Sequence, residues 1–216
     1  MPASSPTWVP DLKLQLEAKK VDAIPYFTKK QLSGMLPITD YRSVSQVLAD
    51  PGKSEWFKAQ LRNPQSAMAK ACKQGTKTHK ALETGEAKDA FTAACLSRFE
   101  SDILIDLDEI WGQEEWLAHP LGYKGKFDGV GIFRGKLTLF DHKKTNTRKA
   151  MSGLGGYFNQ LTAYRQAHWF LYPDFFIEQV AIFNIFGKTE DELGTEVTIL
   201  TPDQMATFTD EFNDRL

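Results

Sequence analysis

The sequence predicts a fold of the α/β or α+β class, in which helices flank a mixed central sheet. Two observations lead to this prediction. Apolar residues recur with helical spacing from about residue 54 to residue 106. Residues 114–144 are instead rich in aromatic and β-branched residues that alternate with polar ones, as in strands. A further helix, one or two strands and a last helix follow, an order typical of a sheet covered by helices.

Proline divides the predicted helical part. The segment "SVSQVLAD" predicts a short helix that ends at Pro51-Gly52, and a helical stretch from Ser54 to Glu83 is interrupted near Asn63-Pro64. A second long helix is predicted from about Ala87 to Asp106, with most of the acidic residues between 100 and 109 on its solvated face. Residues 1–45 are predicted to form an arm or cap, and residues 46–216 the main domain.

The second half of the chain predicts three strands, "EEWLAH", "YKGKFDGVGIFR" and "KLTLFDHKK", with a turn around Gly135. A helix is expected from Gly153 to Leu171, and the long apolar segment "FFIEQVAIFNIF" is expected to be a core strand. "TPDQ" predicts the start of the last helix, with Thr201 as the N-cap and Gln204 completing a capping box.

Composition excludes several classes of protein. The formal net charge is -2, so binding to a polyanion would depend on local patches of charge. Cys72 and Cys95 are too few for a disulfide scaffold or for a cluster held by four thiolates. No apolar run approaches the ~18 residues of a membrane span, and no targeting signal is recognised. We therefore expect a soluble intracellular protein, in the cytoplasm of a bacterial or phage-infected cell.

The segment "YKGKFDGVGIFRGKLTLFDHKKTNTRKA" contains an unusual set of charged residues. Side chains of a strand alternate between faces, so Asp141 and Lys143 project together and His142 points the other way. Asp128 precedes Asp141 by 13 residues, with the predicted turn at Gly135 between them. The two carboxylates can therefore face each other across adjacent strands at one end of the sheet.

Two adjacent carboxylates repel each other, and a divalent cation removes that penalty. Hard oxygen ligands suit Mg²⁺ or Mn²⁺, and Lys143 could orient or deprotonate a water or stabilise charge on a phosphoryl oxygen. Between Lys124 and Lys149, eight basic residues accompany two acidic ones, a local charge of +6 that is typical of a polyanion site. The alternative is a solvated hairpin with ordinary surface lysines, and spacing alone does not decide between the two.

Several motifs follow in order around this segment. They are "GTKTH" (75–79), the acidic "QEEW", "FDG", "DHK" and "YFNQLTAY", which contains Gln160 and Tyr164. Together they resemble the PD-(D/E)XK nucleases, specifically the RecB-type exonucleases and the related mitochondrial genome maintenance exonuclease and its phage relatives. The resemblance extends from about Ser43 to Tyr164. One departure is Asp-His-Lys-Lys, where the family often has Asp-Trp-Lys-Thr.

The resemblance implies a restriction-endonuclease-like fold with an N-terminal helical region, and one or two Mg²⁺ or Mn²⁺ ions. Lys143 would be the catalytic lysine, acting with Asp128, Asp141 and His79. The implied metal ligands are Asp128, Asp141, His79, the backbone carbonyl of His142, and either Glu114 or Glu115 as the third carboxylate. The candidate DNA contacts are Gln160, Tyr164, Lys124, Lys144 and Arg148.

The predicted activity is therefore metal-dependent hydrolysis of phosphodiester bonds in DNA, by an exonuclease acting on single-stranded or frayed ends. Two alternatives stay open. One is a structure- or sequence-specific endonuclease built on the same core, and the other is a non-catalytic module that binds DNA ends. The expected partner is DNA, with a recombination or replication protein as a candidate second partner. The polarity of digestion and the oligomeric state are left open.

Overall fold

The computed structural model of the chain describes residues 11–216, except the side chains at positions 11, 51–54 and 57. The first ten residues of the predicted N-terminal arm lie outside this range. In chain order, the N-terminal elements are α1 (Asp11–Lys19), α2 (Lys29–Met35), β1 (Arg42–Ser43), α3 (Val44–Val47), α4 (Pro51–Arg62), α5 (Ala67–Thr84) and α6 (Ala90–Asp102). The remaining elements are β2 (Leu107–Gln113), β3 (Trp116–His119), β4 (Tyr123–Lys126), β5 (Gly129–Phe133), β6 (Lys136–Thr145), α7 (Gly155–Leu171), β7 (Gln179–Phe186), β8 (Gly194–Ile199) and α8 (Pro202–Asn213).

Five strands form the central sheet in the order β2-β5-β6-β7-β8. The pairing of β6 with β7 is parallel, and α7 provides the crossover between them; the other pairings are antiparallel. A second sheet of three short strands has the order β1-β4-β3. The predicted class, a mixed sheet flanked by helices, is confirmed.

Helices cover both faces of the central sheet. On one face, Leu139 and Ile182 share an apolar cluster with Phe158 and Leu161 of α7. On the other face, the side chains that alternate with them pack against α1, α5 and α6. Residues 11–45 contribute to both clusters, with Leu12 on the α5 side. The sheet is therefore buried on both faces.

The predicted helix ends are only partly correct. The break near Asn63-Pro64 is confirmed, because α4 ends at Arg62 and α5 begins at Ala67. Pro51, in contrast, begins α4, since a proline in the first turn loses no intrahelical hydrogen bond. The capping box of Thr201 and Gln204 at the start of α8 is confirmed. No helix within residues 11–216 has both the length and the apolar character that crossing a bilayer requires.

The strand prediction is wrong in two places. The acidic stretch assigned to the end of a helix contains β2, whose alternation is broken by register shifts between 107 and 109 and between 110 and 112. The segment "YKGKFDGVGIFR" is two strands, β4 and β5, that belong to different sheets. The chain leaves β4 and enters β5 through Phe127 and Asp128, and this crossing point is the centre of the site described next.

Candidate active site

A continuous two-stranded ribbon connects the two sheets. Gln113 pairs with Gly129 in the central sheet, and Trp116 pairs with Lys126 in the small sheet, in the same register. That register places Glu114 opposite Asp128, and the Glu114 N–H donates to the Asp128 carbonyl at 3.2 Å. Glu114 has a φ of 55°, which is uncommon for a residue with a side chain. The ribbon therefore bends where two carboxylates stand side by side.

The hairpin between β5 and β6 brings a third carboxylate, Asp141, next to Glu114 and Asp128. We call these three residues the carboxylate row. Its turn consists of Arg134 and Gly135. Both have positive φ, as a two-residue hairpin turn of type I′ requires. Gly129 pairs with Phe140, so the same register continues to Asp128 opposite Asp141. An oxygen of Asp128, Oδ2, accepts a hydrogen bond of 2.8 Å from the backbone N–H of residue 142. The hairpin thus brings the two aspartates together as the spacing predicts.

Lys143 joins this row from the face of β6 that α7 covers. Its Nζ forms an ion pair with Oδ2 of Asp141, whose residue is only 3% exposed. The same Nζ lies 4.8 Å from the centroid of the Tyr157 ring. Although burial lowers the pKa of Lys143, the carboxylates of Asp141 and Asp128 outweigh it and raise the pKa above the ordinary value. Lys143 is therefore a cation held within the carboxylate row.

The carboxyl group of Asp128 is in an unfavourable place for a negative charge. Burial, followed by the neighbouring Asp141, raises its pKa to about 7, and the nearby Lys143 and His79 only partly offset this. Two carboxylates sharing a buried rim have a deficit of positive charge, which a divalent cation with hard-oxygen preference would supply. The donor set therefore fits Mg²⁺ or Mn²⁺.

His79 reaches the rim from α5 and connects two of the carboxylates. Its Nε2 lies 2.8 Å from Oε1 of Glu114, and its Nδ1 lies 3.4 Å from Oδ2 of Asp128. Lys126 occupies the other oxygen of Glu114, at 2.6 Å. The hydrogen bond to His79, followed by the contact with Lys126, lowers the pKa of Glu114 to about 2. Glu114 is thus ionised and engaged through both oxygens.

Glu115, the other candidate for the third carboxylate, lies away from this row. It lines a surface cavity of about 210 Å³ together with Lys20 and Trp111. Burial raises the pKa of Glu115, and the charge of Lys126 offsets this only in part. The structure therefore brings Glu114 to the aspartates and leaves Glu115 outside the site.

A further carboxylate, Glu83, was not assigned a role from the sequence. Within residues 11–216, single ligand atoms of His79, Glu83 and Glu114 all lie within 4.8 Å of one another, a group that could hold a metal ion. The spacing of four residues between His79 and Glu83 on one helix is the signal in the sequence that could have identified it. Asp128 and Asp141 are not members of this group.

The imidazole of His142 does not face the site, so a role as a metal ligand through its ring is excluded. The ring packs among Phe99, Phe140 and Phe183, at centroid distances of 5.2 to 5.7 Å. Burial, then the neighbouring cations, lowers the pKa of His142 to about 3. The alternation that turns Asp141 toward the site turns His142 into the opposite apolar cluster, so only its backbone remains available.

Gln160 and Tyr164 lie one turn apart on the side of α7 that faces the rim. The Gln160 amide donates to the Tyr164 hydroxyl at 3.2 Å. Tyr164 is largely buried, and burial raises its pKa to about 12. Its ring lies so close to β4 that a Cβ at position 125 would stand 2.3 Å from it, so this strand requires Gly125 there. Tyr164 is therefore near enough to Asp141 and Asp128 for their charges to raise its pKa further, and Gln160 is connected to them through Tyr164.

The three basic residues predicted to contact DNA have partners within the protein. Lys144 donates to the backbone carbonyls of Thr145 and Gly187, at 2.8 and 2.6 Å. Arg148 pairs with Glu196 at 2.7 Å, and Lys124 donates to the carbonyl of Ile38. The role of these three residues as DNA contacts stays a prediction, and binding DNA would require each of them to exchange the partner it has here.

The fold is a mixed α/β architecture with known structural relatives. The chain is similar to a crystal structure from Eubacterium rectale that is named as a candidate exonuclease. The TM-score is 0.54 and the sequence identity 12%, and the match covers 87% of this chain and 83% of that one. A second structure, of the protein SSO0001, has a TM-score of 0.41 and 15% identity, covering 94% of this chain and 83% of that one. No family model matches the sequence, and no curated protein matches it either.

Proposed function

We propose that this protein is a metal-dependent DNA exonuclease of the PD-(D/E)XK type, similar to the RecB-type enzymes. One observation supports the proposal above all: Asp128, Asp141 and Lys143 meet at the rim of the sheet, with the imidazole of His79 beside them. The fold shared with a structure named as a candidate exonuclease agrees with it. DNA is the substrate that this chemistry and the motif order favour.

The residues that would hold Mg²⁺ or Mn²⁺ are Asp128 and Asp141, with Nδ1 of His79 and the backbone carbonyl of His142 as further donors. When bound, the ion supplies an activated water and neutralises charge on the scissile phosphate. The raised pKa of Asp128 supports this assignment, because the aspartate pair lacks the positive charge that such an ion brings.

Lys143 acts as a cation in this proposal. The carboxylates of Asp141 and Asp128 raise its pKa, which favours the protonated form over a role as general base. From its place beside Asp141, the ammonium group can orient a water and stabilise the negative charge that develops on a phosphoryl oxygen. Of the roles that the sequence left open for Lys143, the contacts favour charge stabilisation.

Glu114 has a positioning role rather than a place in the ligand set. It accepts the hydrogen bond from Nε2 of His79, so that Nδ1 is the ring nitrogen that faces Asp128. A carboxylate behind a histidine fixes the tautomer and the orientation of the ring. Lys126 keeps Glu114 ionised for this task. Glu114 would thus determine which nitrogen of His79 faces the ion.

The decisive experiment is digestion of labelled DNA in Mg²⁺, in Mn²⁺ and in EDTA. End-labelled linear single strands, linear duplexes and circular single strands should be compared. We expect metal-dependent loss of linear DNA from its ends and an intact circle. Cleavage of the circle would replace the exonuclease by an endonuclease on the same core, and binding without cleavage in either metal would leave a DNA end-binding module.

A further inference from the structure

A regular row of lysines runs along α5. Lys70, Lys73, Lys77 and Lys80 are separated by three, four and three residues, which places them on one side of a helix. All four are exposed. The helix contains no acidic residue before Glu83. We call these four residues the α5 lysine row.

The row faces solvent and flanks the side of α5 that packs on the sheet. Thr78, Ala81 and Leu82 are buried there, and the two apolar ones belong to the cluster beneath α5. His79, the residue directly before Lys80, extends to Asp128. The lysine row therefore ends within one turn of His79 along the helix axis, but it lies on a different side of α5 from the His79 side chain.

The positive charge of the row is largely unused by the protein. Within residues 11–216, no ion pair or hydrogen bond is described for the side chain of Lys70 or Lys73. Lys77 pairs with Asp89 and Lys80 with Glu83, both through exposed lysines. Such surface pairs contribute about 0–1 kcal/mol and are easily exchanged for another anion.

We propose that the α5 lysine row binds the phosphate backbone of the DNA substrate, outside the site itself. This inference rests on the proposed function. Charge complementarity identifies the occupant, because the row is an uninterrupted line of cations on a chain of net charge -2. Ten residues of helix span about 15 Å. At roughly 3.4 Å per nucleotide along the axis of a duplex strand, that length matches about four nucleotides.

The test uses the two lysines that have no described partner. In Lys70→Gln/Lys73→Gln, the affinity for a labelled single-stranded oligonucleotide is measured by fluorescence anisotropy in EDTA at several salt concentrations. The slope of log K against log[salt] should become shallower by about 1.4, since each lost contact to a single strand removes roughly 0.7. The dissociation constant near 0.1 M salt should rise roughly 10- to 25-fold.

Two further variants control for overall charge and for the fold. Lys30→Gln/Lys136→Gln makes the same change in net charge at two exposed positions outside the row, and should keep the parental slope. Lys70→Arg/Lys73→Arg keeps the cations and should restore binding. An unchanged slope in the row variant would overturn the inference while leaving the proposed function standing, as would an equal loss in the control. If the parent protein binds no DNA, both fall together.

Discussion

Two segments of this chain have the same kind of positive charge, and the structure uses them differently. In the hairpin segment between Lys124 and Lys149, most cations contact carboxylates or backbone carbonyls of the protein. In α5, the lysine row faces solvent, and half of its members have no described partner. A count of basic residues therefore locates positive charge in the sequence, whereas the partners of each side chain decide whether that charge is available to a ligand.

The difference has a physical origin in the neighbouring residues. The hairpin segment adjoins the carboxylate row, whose buried negative charge requires cations close by. Lys126 and Lys143 satisfy this requirement by pairing with Glu114 and Asp141. Along α5, no acidic residue precedes Glu83, and the carboxylates that pair with Lys77 and Lys80 lie at the surface. We therefore expect Lys126 and Lys143 to affect the chemical step, and the α5 lysine row to affect the binding of DNA.

The largest effect on DNA cleavage should follow from removing the ammonium group of Lys143. In Lys143→Ala, the single-turnover rate of DNA cleavage in Mg²⁺ should fall at least about 100-fold, because a group that stabilises charge in the transition state is lost. Lys136→Ala, at the start of the same strand and exposed, is the matched control and should cleave like the parent. Cleavage by the Lys143 variant at the parental rate would remove Lys143 from the mechanism.

The next effect concerns the orientation of His79 by Glu114. In Glu114→Ala, the affinity for Mn²⁺ measured by calorimetry without DNA should fall roughly 10- to 100-fold, as is typical when a residue behind a metal-binding histidine is lost. Glu114→Gln should lose less, because its amide oxygen can still accept from Nε2. Equal losses in both variants would indicate that the charge of Glu114, and not its hydrogen bond, supports the ion.

A third prediction concerns stability in EDTA. The folded pKa of Asp128 is about 7, above its ordinary value of 3.8, so the folded protein binds a proton that the unfolded chain has released. The free energy of unfolding should therefore fall between about pH 4 and pH 7, by up to about 1.4 kcal/mol per pH unit. The raised pKa of His79 acts in the same direction above its ordinary value of 6.5, whereas the lowered pKa of Glu114 matters only below about pH 4.5.

Urea unfolding of the parent and of Asp128→Asn between pH 5 and pH 8 tests this. The variant should be the more stable protein at pH 8 and should show a flatter profile, since it has no carboxyl group to ionise. Saturating Mg²⁺ should flatten the profile of the parent and leave that of the variant nearly unchanged. A parental profile that rises with pH would contradict the assignment of Asp128 as the strained carboxyl group.

The sequence predicts the core of the site because that core depends on local rules. Strand alternation and the turn at Gly135 are sufficient to bring Asp128 opposite Asp141 and to separate Lys143 from His142. The choice between Glu114 and Glu115 could not be made in this way, because it depends on one backbone angle at the bend of the ribbon. The strand β2 was missed because bulges and acidic residues conceal its alternation.

The sequence likewise could not predict whether each cation has a partner within the protein, because such partners are distant in the chain. Lys124 finds a carbonyl 86 residues earlier, and Arg148 finds Glu196, 48 residues later. Alternation and spacing contain no information on such partners. Because these partners could not be predicted, the basic residues of the hairpin segment were predicted to contact DNA and those of α5 were not.

The smallest expected effect tests the comparison from the side of the hairpin. Arg148 is 71% exposed in its side chain and pairs with Glu196, so Arg148→Gln should lower the free energy of unfolding by less than about 1 kcal/mol. If its charge is committed to Glu196, the salt dependence of DNA binding should keep the parental slope, in contrast to the loss expected in the α5 lysine row. A slope that becomes shallower by about 0.7 would instead mean that Arg148 exchanges Glu196 for a phosphate. The hairpin segment would then contribute to DNA binding as well as to the chemistry. The inference that only the α5 lysine row binds DNA phosphates would be wrong.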